Sequence, residues 1–99
     1  MIVAGRAVDL GRIGEICRRY GVARLEVFGS LSRGEERPES DVDLLYELAP
    51  GARLGWVIEN LADELSEVLD RPVDLVSRQA LHERLRDAVL NEARVLYAA

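Results

Sequence analysis

Three aspartates stand where they could do chemistry: Asp41 and Asp43, one residue apart, and Asp74 inside the apolar segment Val73-Asp74-Leu75-Val76. Side chains alternate along a strand, so Asp41 and Asp43 share a face if their segment is extended. Their α-carbons then lie roughly 6–7 Å apart. Two ionised carboxylates at that range repel by roughly 2–3 kcal/mol at an effective dielectric of about 20. An oxygen-seeking divalent cation turns that repulsion into coordination. Asp74 in an apolar strand needs a partner as well. One option is an arginine such as Arg71; the other is a place beside Asp41 and Asp43, if its strand neighbours theirs. A cluster of three carboxylates can hold two divalent ions, which stabilise the attacking and leaving oxygens of an in-line phosphoryl displacement.

A second feature points to phosphate. Gly29 and Ser30 follow the apolar segment Val22 to Phe28. Glycine lets backbone approach a ligand closely, and the N–H groups of a following helical turn can face phosphate oxygens. The serine hydroxyl adds a donor. Alone, Gly29-Ser30 is no more than a turn signal.

Composition removes competing chemistries. The chain has no lysine, one histidine (His82) and one cysteine (Cys17). A Walker A phosphate loop and Schiff-base catalysis both need lysine. A metalloprotease HExxH pair needs two histidines, and a cysteine-rich zinc site or internal disulfide needs more than one cysteine. The net charge of −5 disfavours extended nucleic-acid binding, which requires a basic surface. No apolar run approaches a membrane span, and Met1 to Gly5 does not open a secretory signal. A cytoplasmic location is the expectation.

The elements that must position these groups are readable from periodicity. Asp9 can cap a helix ending before Gly21, with Ile13, Ile16, Cys17 and Tyr20 at helical spacing. Val22 to Phe28 reads as a strand with Leu25 and Val27 on one face and Glu26 and Phe28 on the other. Leu31 to Ser40 is a polar turn and loop. Asp41 to Leu48 is a second strand. Ala52 to Leu69 carries a helical stripe of Leu54, Val57, Ile58, Leu61, Leu65, Val68 and Leu69. Val73 to Val76 is a third strand. Ser77 can cap a last helix, with Leu81, Leu85, Val89, Ala93 and Leu96 on its apolar face; alternatively Val95 to Tyr97 forms a final strand. The order α-β-β-α-β-α predicts an α/β (α+β) fold, a three- to four-stranded mixed sheet with packed helices, as a single domain over residues 1–99.

Gly29-Ser30, ten intervening residues, then Asp41-Val42-Asp43 resembles the GS-x10-DxD signature of the DNA polymerase beta nucleotidyltransferase superfamily. By chance that pattern should occur in about one chain in a thousand of this length, so the likeness is specific. The whole segment Phe28 to Leu45 resembles the minimal nucleotidyltransferase (MNT) branch, and Val73 to Val76 matches its third-aspartate strand. The resemblance implies that Asp41 and Asp43 bind two Mg²⁺ ions, and that Asp74 binds the ion activating the acceptor hydroxyl. It gives Gly29 and Ser30 to the triphosphate. Arg33 matches an arginine of the family's Ser-x-x-Arg-Gly segment and is open to two roles, neutralising phosphate or pairing with Glu35 or Glu36. The resemblance further implies ATP as substrate and AMP transfer to a tyrosine of a small helical HEPN-type toxin, with assembly on that partner or on itself. Two other functions stay open: toxin neutralisation by occlusion without catalysis, and nucleotidyl transfer to RNA or a small molecule. Trp56 lies off its helix stripe and is either a partner contact or a helix-edge residue.

Overall fold

The computed structural model describes residues 2–3, 6–28, 41–81, 91 and 93–99. Two short strands, β1 (Ile2–Val3) and β2 (Arg6–Ala7), pair antiparallel ahead of helix α1 (Leu10–Tyr20). That ladder has no counterpart in the sequence reading, because two-residue strands carry no periodicity. Asp9 caps α1 as expected, accepting the Arg12 N–H at 3.1 Å. Gly21 ends it at φ 74°, donating its N–H to the last-turn carbonyls of Arg18 and Cys17.

The main sheet contains β3 (Val22–Phe28), β4 (Val42–Leu48), β5 (Val73–Ser77) and β6 (Arg94–Ala98), in the order β5-β4-β3-β6. β3 runs antiparallel to both β4 and β6, whereas β4 and β5 are parallel. A parallel pair needs a crossover, and helix α2 (Ile58–Leu69) supplies it. The mixed four-stranded sheet is the one expected.

One face of the sheet is the core. Leu25 and Val27 of β3 and Val42 and Leu44 of β4 join Ile13, Ile16 and Cys17 of α1 and Leu61, Leu65 and Leu69 of α2 in a single buried cluster. Both helices therefore cover the same face. Alternation sends Glu26, Phe28, Asp43 and Leu45 to the opposite face. α1 and α2 are clipped together at the outer surface, where Glu64 accepts from the Tyr20 hydroxyl and from Arg19 Nη2, the latter at 2.6 Å. No described helix is long and apolar enough to cross a membrane.

Two boundaries differ from the periodicity. The second helix begins at Ile58 rather than near Ala52: Gly51 and Gly55 have φ of 82° and 52°, outside the right-handed helical region, and only a 3-10 turn (Gly55–Val57) precedes α2. Ser77 does not cap a last helix. It closes β5, and its side chain makes no capping bond to the 3-10 turn Arg78–Ala80 that follows. Of the apolar face assigned to that helix, Leu85 and Val89 lie outside the described residues. Leu96 sits in β6 and is buried. The strand alternative holds there because β3 offers a free edge, paired from Arg24↔Ala98 to Val27↔Arg94.

Gly21 is the turn on which α1 meets β3. A Cβ there would stand 2.9 Å from the Ala52 Cβ, in addition to the positive φ of 74°. Gly21→Ala is expected to lower Tm by roughly 5–15 °C, since a left-handed L-residue costs about 1–2 kcal/mol and a small domain loses several degrees per kcal/mol. A circular-dichroism melt of the variant against wild type checks this.

Candidate active site

The carboxylates are placed by core valines. Val42, the first residue of β4, is fully buried. It stands opposite Val73, the first residue of β5. Its N–H donates to the Pro72 carbonyl at 2.8 Å, tying the two strand entries together. The turn feeding β5 is itself fixed. Asp70 ends α2 in a left-handed conformation, donating its N–H to the Ser66 carbonyl, and the Ser66 hydroxyl donates to the Arg71 carbonyl.

The next residue on each strand is an aspartate. Asp43 and Asp74 are direct partners in the parallel register, on strands spaced about 4.8 Å apart. They face away from the helices, as their neighbours Val42 and Leu44 face the core. Asp41 lies immediately before β4 and is exposed; Asp43 is half-buried and Asp74 exposed. Burial pushes the Asp43 carboxyl above its ordinary range, and the charges of Asp74 and Asp41 push it further. Asp74 and Asp41 thus both bear on Asp43.

They do not form a closed cage. Among the described residues, no three acidic, histidine or cysteine side chains gather closely enough to surround a metal ion. The donor set nonetheless fits Mg²⁺, which takes one or two carboxylates and fills its remaining positions with water and substrate phosphate oxygens. Hard oxygen ligands under mutual repulsion are what such a cation relieves.

Phe28, the last residue of β3, pairs with Asp43. Gly29 and Ser30 follow it in sequence; they and Arg33 lie outside the described residues. A cleft of about 540 Å³ opens elsewhere, toward the C-terminal end of β4, where Tyr46, Leu48, Gly51 and Ser77 line it. It lacks the paired aspartates, which stand toward the opposite end of the strand.

The sequence reading missed a charged network on the carboxylate face. Glu26 is only 4% exposed. Its Oε1 accepts from Arg24 Nε at 2.8 Å and Arg78 Nη1 at 3.4 Å. Arg78 Nη1 also lies 3.5 Å from Glu47 Oε2. Alternation had set Glu26 away from the core; nothing local marked Arg78 as its partner, 52 residues on.

The sheet order sets two aspartates in register where a central strand and its parallel neighbour begin. The family model of the nucleotidyltransferase domain matches residues 12–96, and the chain belongs to that family. It is similar to the protein adenylyltransferase MntA of Thermococcus cleftensis, with 38% identity over 79% of this chain and 78% of the relative. A solved structure provisionally described as a minimal nucleotidyltransferase superposes with a TM-score of 0.73 at 40% identity, covering 86% of both chains. The fold is also shared with a complex of tri-AMPylated Shewanella oneidensis HEPN toxin and MNT antitoxin: TM-score 0.62, 23% identity, 91% of this chain and 70% of that chain covered. The protein is a nucleotidyltransferase.

The raised Asp43 pKa has a stability consequence. A carboxyl whose pKa is higher in the folded state favours folding below its unfolded value and loses that contribution as pH rises through the folded one. Cation-free wild type should therefore give up stability as pH rises from about 4. Asp43→Asn lacks that loss, so its Tm should gain on that of wild type as pH rises through the folded Asp43 pKa and keep a constant margin above it. Melts in EDTA across a pH series measure the margin.

Proposed function

We propose that the protein transfers AMP from ATP to a tyrosine hydroxyl of a HEPN-type toxin, with Mg²⁺ held by Asp41, Asp43 and Asp74, and that it acts in the cytoplasm as the antitoxin of the pair. The observation that carries this reading is the register of Asp43 with Asp74 on one face of the sheet. Bound Mg²⁺ supplies charge stabilisation for the attacking and leaving oxygens.

The chain's own residues divide the remaining work. Asp43, in the middle of the cluster, keeps the ionic ligands together. Asp41 shares both ions with it. Asp74, on the edge strand and exposed, holds the side from which an acceptor arrives. Gly29 and Ser30 bind the triphosphate, and Arg33 neutralises its charge. The acceptor oxygen bonds to the α-phosphorus as the bond from that phosphorus to the bridging oxygen breaks. Pyrophosphate leaves, and the acceptor proton passes to solvent. The MntA relative, named for protein adenylylation, and the AMPylated toxin complex of the same fold support the choice of donor and acceptor.

Incubation with Mg²⁺, α-³²P-labelled ATP and the product of the neighbouring gene should label that product, and the product should be a HEPN protein. Asp41→Asn/Asp43→Asn should reduce labelling at least about a hundredfold, the scale on which lost transition-state electrostatics act, while the complex still forms. Absence of label with every nucleotide, in a stable complex that still neutralises the toxin, would replace transfer by occlusion.

A further inference from the structure

We propose that Arg78 is a positioning residue: by joining Glu26 and Glu47, it latches β5 to the sheet and holds Asp74 alongside Asp43. The inference rests on the metal-site reading above and concerns what keeps that site assembled.

Among the described residues, β5 is an edge strand of the sheet and pairs with β4 alone. A one-residue slip along β4 would carry Asp74 to the opposite face. The strand also bears a carboxylate directly opposite another carboxylate, and like charges facing each other across a ladder push strands apart. At its entry, β5 is held by the bond from Val42 N–H to the Pro72 carbonyl at 2.8 Å. Its exit is where Arg78 acts.

The register arranges the outer face in rows. Phe28, Asp43 and Asp74 form one; Glu26, Leu45 and Val76 form the next. Arg24 pairs with Glu47 in a third, and Arg78, directly after Ser77, comes off β5 at that level. Arg78 therefore sits four residues beyond Asp74 on the same chain, roughly 13 Å along the strand. It cannot touch the reacting groups. Its guanidinium reaches Glu26 on β3 and Glu47 on β4, spanning three adjacent strands.

The chemistry suits a latch. Glu26 is nearly buried and carries a charge that must be paired. Arg24, from the same strand, already supplies one donor at 2.8 Å, so burial of Glu26 does not by itself call for a second arginine from the turn after β5. Arg78 is 31% exposed, and its Nη1 lies between the two carboxylates, 3.4 Å from Glu26 Oε1 and 3.5 Å from Glu47 Oε2. Slippage of β5 would withdraw Arg78 from both, leaving Glu26 short of a donor. The pairing at the exit thus penalises the displacement that would misplace Asp74.

The test uses the full chain and MgCl₂ as probe, read by the rise in Tm, with hydrogen exchange of the Val73–Ser77 amides alongside. In Arg78→Gln the Mg²⁺ concentration for half-maximal stabilisation should rise about tenfold, the low end for loss of a supporting partner behind a metal ligand. Exchange in β5 should quicken while that of β3 stays unchanged. Arg78→Lys should fall between. KM for ATP at saturating Mg²⁺ should not move. An unaltered Mg²⁺ response, or exchange quickened equally through the whole sheet, overturns the positioning role. A wild-type protein without any Mg²⁺ response, equal to Asp41→Asn/Asp43→Asn, removes the metal site and the inference with it; a wild-type response retained in full by Arg78→Gln removes the inference alone.

Discussion

Everything at the site depends on two negative charges being held side by side against their own repulsion. Asp43 and Asp74 are opposed in a parallel ladder, and Asp41 adds a third charge at the entry to β4. No hydrogen bond between carboxylates holds such an arrangement. It is imposed from beneath, by Val42 opposite Val73, Leu44 opposite Leu75, and the bond between the two strand entries. Burial of apolar side chains is worth roughly 25 cal/mol per Å², so a ladder with Val42 and Leu44 fully buried can carry an unfavourable charge pair. The fold thus holds a repulsion that only positive charge can relieve.

The two faces of the sheet divide the labour. The helix-covered face is apolar and continuous from α1 through β3 and β4 to α2. The other carries ions in rows, with carboxylates at one end and the Arg24, Glu26, Glu47 and Arg78 network at the other. The period-two alternation of two central strands is enough to sort them. Helix α2 supports both sides of this division: it covers the core and, through the turn at Asp70 and Arg71, sets where β5 starts.

Most of the architecture was legible because strong local signals agreed with tertiary packing. Asp9 and Gly21 bracketed α1, and Leu25 and Val27 marked the inward face of β3. Asp43 and Asp74 stood out as candidates because their type conflicts with their apolar neighbours, and the register sets the two side by side. The remainder was hidden for physical reasons. The start of α2 was obscured because the apolar stripe runs on through Leu54 and Val57, while the backbone at Gly55 takes a positive φ that hydrophobicity does not register. β6 was ambiguous because Leu96 suits either a helix stripe or a strand, and only the open edge of β3 decides between them. The Arg78 contacts join residues remote in sequence, so no local pattern contains them.

The place of β6 in the sheet also bears on the order of folding. β3 is a central strand, yet its second neighbour is the segment Arg94–Ala98. As the chain emerges from a ribosome, β3 and β4 can pair early, with their hairpin-like antiparallel register, and α2 and β5 can dock afterwards. One edge of β3 stays unsatisfied through all of this, and Leu96 is missing from the core. Loop closure over so long a span is slow, and an unpaired edge invites association with other strands. Until Arg94–Ala98 is available, Asp43 and Asp74 can therefore already stand side by side while the sheet remains open on the far side.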